Sequence, residues 1–182
     1  DHWFVINAMD FGWEHPQAHV QLIEDRESGT FYVTQAWKES HVAPEVAWAT
    51  VKPWSIGVPT SWPLDGLQTE KNGTANQQKD YYIDAGFDML HAHATWPDGT
   101  NGVEAGLYEI RDLMIKGRFK VDRNLRDFFN EFNQYHRNQN GKISKTMDDL
   151  LDAIRYAYMM RRYSIPWGER SRLTSPGVIS SF

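Results

Sequence analysis

The sequence predicts an α/β domain, a mixed sheet of five or more strands flanked by helices, from three observations. The first forty residues alternate short apolar, β-branched runs with polar turns, as antiparallel strands do. From residue 44 onward, helix-period segments interleave with further short apolar runs, the mark of crossover connections. The 182 residues include 8 Trp, 8 Tyr and 9 Phe, enough apolar surface for one substantial core.

Trp3 to Met9 is nearly all apolar and contains Val5 and Ile6, so it reads as a buried strand ending at Asp10, with Gly12 breaking it. Ala18 to Ile23 and Thr30 to Trp37 read as two more strands, joined by the polar, Gly-containing turn 24–29. Pro44 at a first helical position, followed by Val46, Ala47, Trp48 and Val51, predicts a helix closed before Pro53. Ser55 to Pro59 is placed as a fourth strand leading to Asp65.

Ala75 to Gly86 is helix-like, with Gly86 suited to the position after the last turn, and Met89 to Ala94 reads as a fifth strand on which His91 and His93 share a face. Val103, Leu107, Ile110, Leu113 and Met114 have helical spacing up to Gly117. Phe119 and Val121 fit a short edge strand. Asn124 is suited to cap a helix bearing Leu125, Phe128, Phe129 and Phe132, and Asn140-Gly141 signals a hairpin turn. A last long helix is expected from about Thr146 to Arg162. The stretch 164–182 is turn-rich and is expected to be a flexible C-terminal tail, leaving residues 1–163 as the folded domain. Three antiparallel strands, a crossover helix, two further strands and flanking helices are the order of a ribonuclease H-like domain.

Composition narrows the chemistry. Without cysteine there is no disulfide framework and no thiol nucleophile, and no run approaches the roughly 18 apolar residues of a membrane helix. The expectation is a soluble protein with no membrane partner. Net charge is −5, unevenly spread: residues 1–110 hold 5 Lys/Arg against 16 Asp/Glu, and residues 111–172 hold 14 against 8. Such a basic half suits a polyanion, although solvated helix faces account for it equally well.

Three acidic positions stand out: Asp10 after the first strand, Asp65 in Pro63-Leu64-Asp65-Gly66, and Asp149 within Asp148-Asp149-Leu150-Leu151-Asp152. Strand ends on one edge of an α/β sheet are neighbours in space, and a late helix packed on the sheet can add a third group. Carboxylates about 4 Å apart repel by roughly 4 kcal/mol at an effective dielectric of 20, so a dry cluster needs a cation. Oxygen ligands alone suit Mg²⁺ or Mn²⁺. The bland accounts are a loop acid for Asp10, a Pro-Leu-Asp-Gly turn for Asp65, and macrodipole-complementing acids for the helix start. On the last helix, Leu150, Leu151, Ile154, Ala157 and Tyr158 form the core stripe, with Asp148 on one flank, Asp149 on the other and Asp152 on the outer face between them. Periodicity does not choose between the flanks, although Ala153 and Ala157 lie nearer Asp149.

The first strand ending in Asp10-Phe11-Gly12, the acid at Asp65, and Asp148-Asp149-Leu150-Leu151-Asp152-Ala153 with Arg155-Tyr156-Ala157 together resemble the nuclease domain of phage large terminase subunits, closest to the headful-packaging motors of short-tailed phages. The similarity spans most of residues 3–163. It implies a ribonuclease H-like endonuclease that cuts concatemeric double-stranded DNA in the host cell cytoplasm. It also implies a two-metal site using Mg²⁺ or Mn²⁺, with Asp10, Asp65 and Asp149 as catalytic ligands and Asp152 as a further ligand. It implies, too, an upstream ATPase domain, which this chain does not contain, and a small terminase subunit and portal protein as partners. No Gly-x-x-x-x-Gly-Lys-Ser/Thr phosphate loop occurs here.

Backbone reading predicts little sequence specificity. Candidate phosphate contacts are Arg118, Lys120, Arg123, Lys142 and Lys145, and His15 could face substrate. Two other readings compete: a Holliday-junction resolvase or transposase-like nuclease, whose third-helix pattern is similar, and a non-catalytic portal-docking module. Four-way-junction preference marks the first, and metal-free binding without cleavage the second.

Overall fold

The computed structural model describes residues 2–69, 76–134 and 148–174, with side chains to residue 170. Its centre is a sheet built on three long antiparallel strands: β1 (Trp3–Asp10), β2 (Gln17–Asp25) and β3 (Thr30–Glu39). β4 (Thr60–Ser61) pairs in parallel with β1, and β5 (Phe119–Val121) in parallel with β3, giving the order β4-β1-β2-β3-β5. β6 (Ile165–Pro166) also pairs with β1, antiparallel at Phe4 and Val5. A register shift at Gln21/Leu22 marks a bulge where β3 carries one extra residue, Thr34.

Strict alternation along the strands sends one set of side chains to each face. Ile6, Ala8, Ala18, Val20, Leu22, Phe31 and Val33 meet α3 (Val103–Ile115), α4 (Arg126–Gln134) and α5 (Asp149–Met159) on one face. Met9 and Trp37 meet α1 (Pro44–Ser55) and α2 (Gln78–Ala85) on the other. Leu150 and Ile154 of α5 are at most 2% exposed, each contributing about 1.5–3 kcal/mol through burial. Ala153 and Ala157, both 0% exposed, let α5 lie close on β1 and β2. Gly86 ends α2 at φ 117°, and a Cβ there would lie 2.7 Å from Trp48 Nε1, so only glycine permits this α1–α2 approach. No helix among the described residues is long and apolar enough to cross a membrane.

Several boundaries differ from the sequence expectation. Helix α1 runs through Pro53, because that proline sits in the last turn where one lost bond is tolerated, and Ile56 N–H closes the helix on Lys52. Ser55 therefore ends a helix, and the fourth strand falls at Thr60–Ser61 after a turn at Gly57, φ 70°. The expected fifth strand reduces to a single bridge from Met89 to Thr60, so His91 and His93 do not share a strand face. Ahead of α4 the Asp122 side chain accepts the Asn124 N–H and its carbonyl accepts the Leu125 N–H, while Asn124 accepts the Arg126 N–H through its carbonyl and not its side chain. Ordered chain continues past residue 163: β6 joins the sheet and α6 (Trp167–Thr174) follows. Asn140-Gly141, Thr146, Lys142 and Lys145 lie outside the described residues, as do 175–182.

Candidate metal centre

The site lies at one end of the sheet. β1 delivers Asp10 to its C-terminal end. There Asp10 pairs with Ala18, which pairs with Lys38, so all three lie in one cross-strand row and point to the α5 face. Asp10 and Lys38 stand two strands apart, about 10 Å. The first turn of α5 sits over the buried Ala18 between them and carries Asp149 and Asp152.

Asp10 is half-buried, and its carboxyl is held well above the usual range, first by burial and then by the charges of Asp152, Asp149 and Asp65, with Arg155 opposing. Asp149 is likewise raised, mainly by burial, while Lys38 and His15 pull it down and Asp152 pushes it up. The four acids and exposed His15 are thus electrostatic neighbours. Asp65 is exposed and acts least strongly on Asp10. It rides a 3-10 turn (Leu64–Leu67) clamped by Gly66, where a Cβ would lie 2.5 Å from Trp62 and 2.8 Å from Phe11.

Asp152 corrects the helical projection, which put it on the outer face. Its side chain is 19% exposed, and it is the strongest of the charges acting on Asp10. The buried Ala153 and Ala157 widen the packed stripe and roll α5 towards its Asp149 flank, bringing Asp152 round to the site. Asp148 takes the N-cap position at φ −123°.

Three residues to which the sequence reading assigned no role complete the cluster. Arg155 is 4% exposed and donates to Asp152 Oδ1 from Nη2 at 3.0 Å and from Nε at 3.2 Å. Glu131 of α4, 2% exposed, accepts the backbone N–H groups of Leu150 at 2.9 Å and Leu151 at 3.3 Å and pairs with Lys38. Lys38 Nζ also lies 3.8 Å from Asp149 Oδ2. The signals were faint. Arg155 stands three residues after Asp152, and Glu131 interrupts an aromatic helix between Phe128 and Phe132. Lys38 ends a strand as many lysines do.

The donor set fits a divalent cation of oxygen preference. Among the described residues, Asp10, Asp65, Asp149, Asp152 and Glu131 are paired with or opposed by the cations Lys38 and Arg155, a negative excess that burial makes costly. The spacing is open: no three of these acids offer oxygens within 4.8 Å of one another. The trio among the described residues that does is His2, Asp25 and Glu27, at the far end of the sheet. That trio is a turn in which Asp25 is already engaged by Ser28, with exposed His2 3.8 Å from Asp25 and 3.6 Å from Glu27. Arg118 and Lys120 also lie at the far end: Lys120 pairs with Tyr32, six residues and about 20 Å along β3 from Lys38. Arg123 follows β5 on the side nearer the acids.

A family model described as the terminase RNaseH-like domain matches residues 7–161. The large terminase subunit of Salmonella phage P22 is 55% identical over 164 residues, which is 90% of this chain and 33% of that protein. The chain thus spans about a third of the length of the curated relatives it matches. The solved nuclease domain of the P22 large terminase superposes with a TM-score of 0.87 at 51% identity, covering 96% of this chain and 88% of that one. The nuclease domain of the large terminase from bacteriophage SPP1, solved with bound Mn, superposes at 0.62 with 18% identity over 86% of each chain, a likeness of fold. These matches are to terminases.

Proposed function

The chain belongs to the terminase RNaseH-like domain family, and from that premise we propose that it is a metal-dependent endodeoxyribonuclease cutting double-stranded DNA with little sequence specificity. The observation that carries this is the gathering of Asp10, Asp65, Asp149 and Asp152 at one sheet end, where burial first and then the charges of the other three hold the Asp10 carboxyl up. Asp10, Asp65, Asp149 and Asp152 would hold Mg²⁺ or Mn²⁺, and the SPP1 relative solved with Mn supports that choice. When bound, a cation pair supplies an activated water and neutralises the departing 3′ oxygen.

The chain's own residues do the rest. β1 fixes Asp10 at the rigid centre of the sheet. Arg155 holds Asp152 by one oxygen, which leaves Oδ2 outside the pair. His15, exposed beside Asp149, is placed to hold or pass a proton at the water-facing side of the cluster. Asp65 is the one exposed carboxylate of the four, on a turn that Gly66 packs against Trp62 and Phe11.

Residues 1–163, together with β6, which joins their sheet, are proposed as the nuclease unit, acting in the host cell cytoplasm within a longer large subunit that carries an ATPase domain upstream. The small subunit and portal protein are its proposed partners, which would set where the cut falls. Arg123 and, farther off, Arg118 and Lys120 are proposed phosphate contacts, with Lys142 and Lys145.

The test is cleavage of supercoiled plasmid with Mn²⁺ or Mg²⁺ by the parent and by Asp10→Asn, Asp65→Asn and Asp149→Asn. Loss of cutting in the Asp10 and Asp149 variants is expected, and undiminished cutting by all three would refute the assignment.

A further inference from the structure

Glu131 is a buried carboxylate that the cleavage chemistry does not use, yet it ties together two of the elements that build the site, α5 and β3. One oxygen takes two first-turn N–H groups of α5, donors that helices ordinarily leave unsatisfied, and the positive end of the helix favours its charge. The other takes Lys38 of β3. Lys38 is therefore shared unequally: it bonds directly to Glu131 and stands 3.8 Å from Asp149 Oδ2. An ammonium pulled onto Asp149 would occupy the carboxylate that a divalent cation needs.

We propose that Glu131 is a positioning residue that keeps Lys38 off Asp149, holding the acid open to the cation while fixing the first turn of α5. This rests on Asp149 being a metal ligand. Glu131 lies beside the α5 start, where Asp149 sits at the helix's first position, so the two carboxylates compete for one ammonium across a short gap. Burial decides the competition: Glu131 is 2% exposed against 14% for Asp149, and the more deeply buried anion gains more from the pair. The helix N–H groups add to that preference by fixing Glu131 in place.

The prediction has a direction that simple loss of structure would not produce. In Glu131→Gln the neutral amide releases Lys38 to Asp149, and Mn²⁺ affinity measured by calorimetry is expected to fall about tenfold or more, since a unit charge near 4 Å acts by kcal/mol amounts at a partly buried site. In Lys38→Met/Glu131→Gln the competitor is gone, and affinity returns to within about threefold of the parent. Lys38→Met alone is expected to bind Mn²⁺ at least as tightly as the parent despite a lower melting temperature, which keeps the idea testable if Glu131→Gln folds poorly. Asp149→Asn, measured alongside, separates the two readings: unchanged Mn²⁺ affinity there removes Asp149 as a ligand. Weakened binding in Asp149→Asn with unchanged binding in Glu131→Gln overturns the positioning role alone. So does a double variant as weak as Glu131→Gln, or a Lys38→Met protein that binds more weakly than the parent.

Discussion

Arg155 grips a single oxygen of Asp152, with Nη2 at 3.0 Å and Nε at 3.2 Å from Oδ1. The guanidinium lies over the Tyr156 ring, 4.5 Å from its centroid, and the aliphatic stem packs against α3 at Gly106, where a Cβ would fall 3.1 Å from Arg155 Cγ. An ordinary i,i+3 pair on a solvated helix is worth a few tenths of a kcal/mol. This one is enclosed, and it supplies the charge that opposes the other acids at the Asp10 carboxyl.

Arg155→Met should therefore lower the stability of the metal-free protein by about 2–3 kcal/mol, below the full cost of breaking a wholly buried pair because Asp152 keeps some exposure. Urea unfolding with and without Mn²⁺ checks it. The cation should recover a larger share of stability in the variant than in the parent.

Asp10 makes the metal-free fold sensitive to base. Its folded-state pKa is raised, so its contribution to stability is complete below the unfolded value near 4 and is lost as pH rises through the folded value. Asp10→Asn should melt roughly 2–4 °C above the parent in EDTA at pH 7.5. That difference should shrink towards zero near pH 4. Equal melting temperatures across the range would remove the electrostatic strain.

His19 works in the opposite direction. Burial pushes its ring down to about 3, among Trp37, Tyr82 and Phe87, with Gln17 Oε1 3.1 Å from Nε2. A depressed folded value means that stability is present above the unfolded value of about 6.5 and is lost as pH falls from there towards 3. His19→Leu should be less stable than the parent at pH 8 through its lost bond, yet lose less between pH 6.5 and 4.5. Denaturant midpoints at four or five pH values would show it.

Gly66→Ala tests the placement of Asp65. The added methyl would sit within 3.0 Å of both Trp62 and Phe11, so the 3-10 turn must shift. A destabilisation of about 1–3 kcal/mol is expected, as for an overpacked core position. Plasmid cleavage should fall with it, with a higher Mn²⁺ requirement because the displaced group is a proposed ligand.

Phosphate contacts should be graded by position. Arg123→Ala should weaken duplex binding and flatten the salt dependence by about 0.9 in log–log slope, the mark of one lost contact. Arg118→Ala, at the far end of the sheet, should change the slope less. A slope that shifts more for Arg118 would place the duplex across the other end.

Much of the fold was legible because the signals are local. Trp3–Asp10, Gln17–Asp25 and Thr30–Glu39 follow from apolar runs and the Gly-bearing turn between the last two, and the α3 and α5 stripes follow from their spacing. Short parallel additions were not legible: Thr60–Ser61 becomes strand-like because β1 offers unpaired backbone beside it, and Met89 because Thr60 does in turn. The same holds for Ile165–Pro166, which no local pattern marks and which is held by the edge at Phe4 and Val5.

By itself the sequence determined the acids. An aspartate closing an apolar strand and a pair one turn apart at a helix start are properties of spacing, and spacing is written in the chain. The tertiary structure decided their company. Whether Asp152 faces solvent or Asp10 depends on how far α5 rolls on its alanines, and whether Lys38 serves Asp149 or Glu131 depends on which carboxylate is more deeply buried. Charge interactions act through space and through the local dielectric, and neither exists until distant segments have packed.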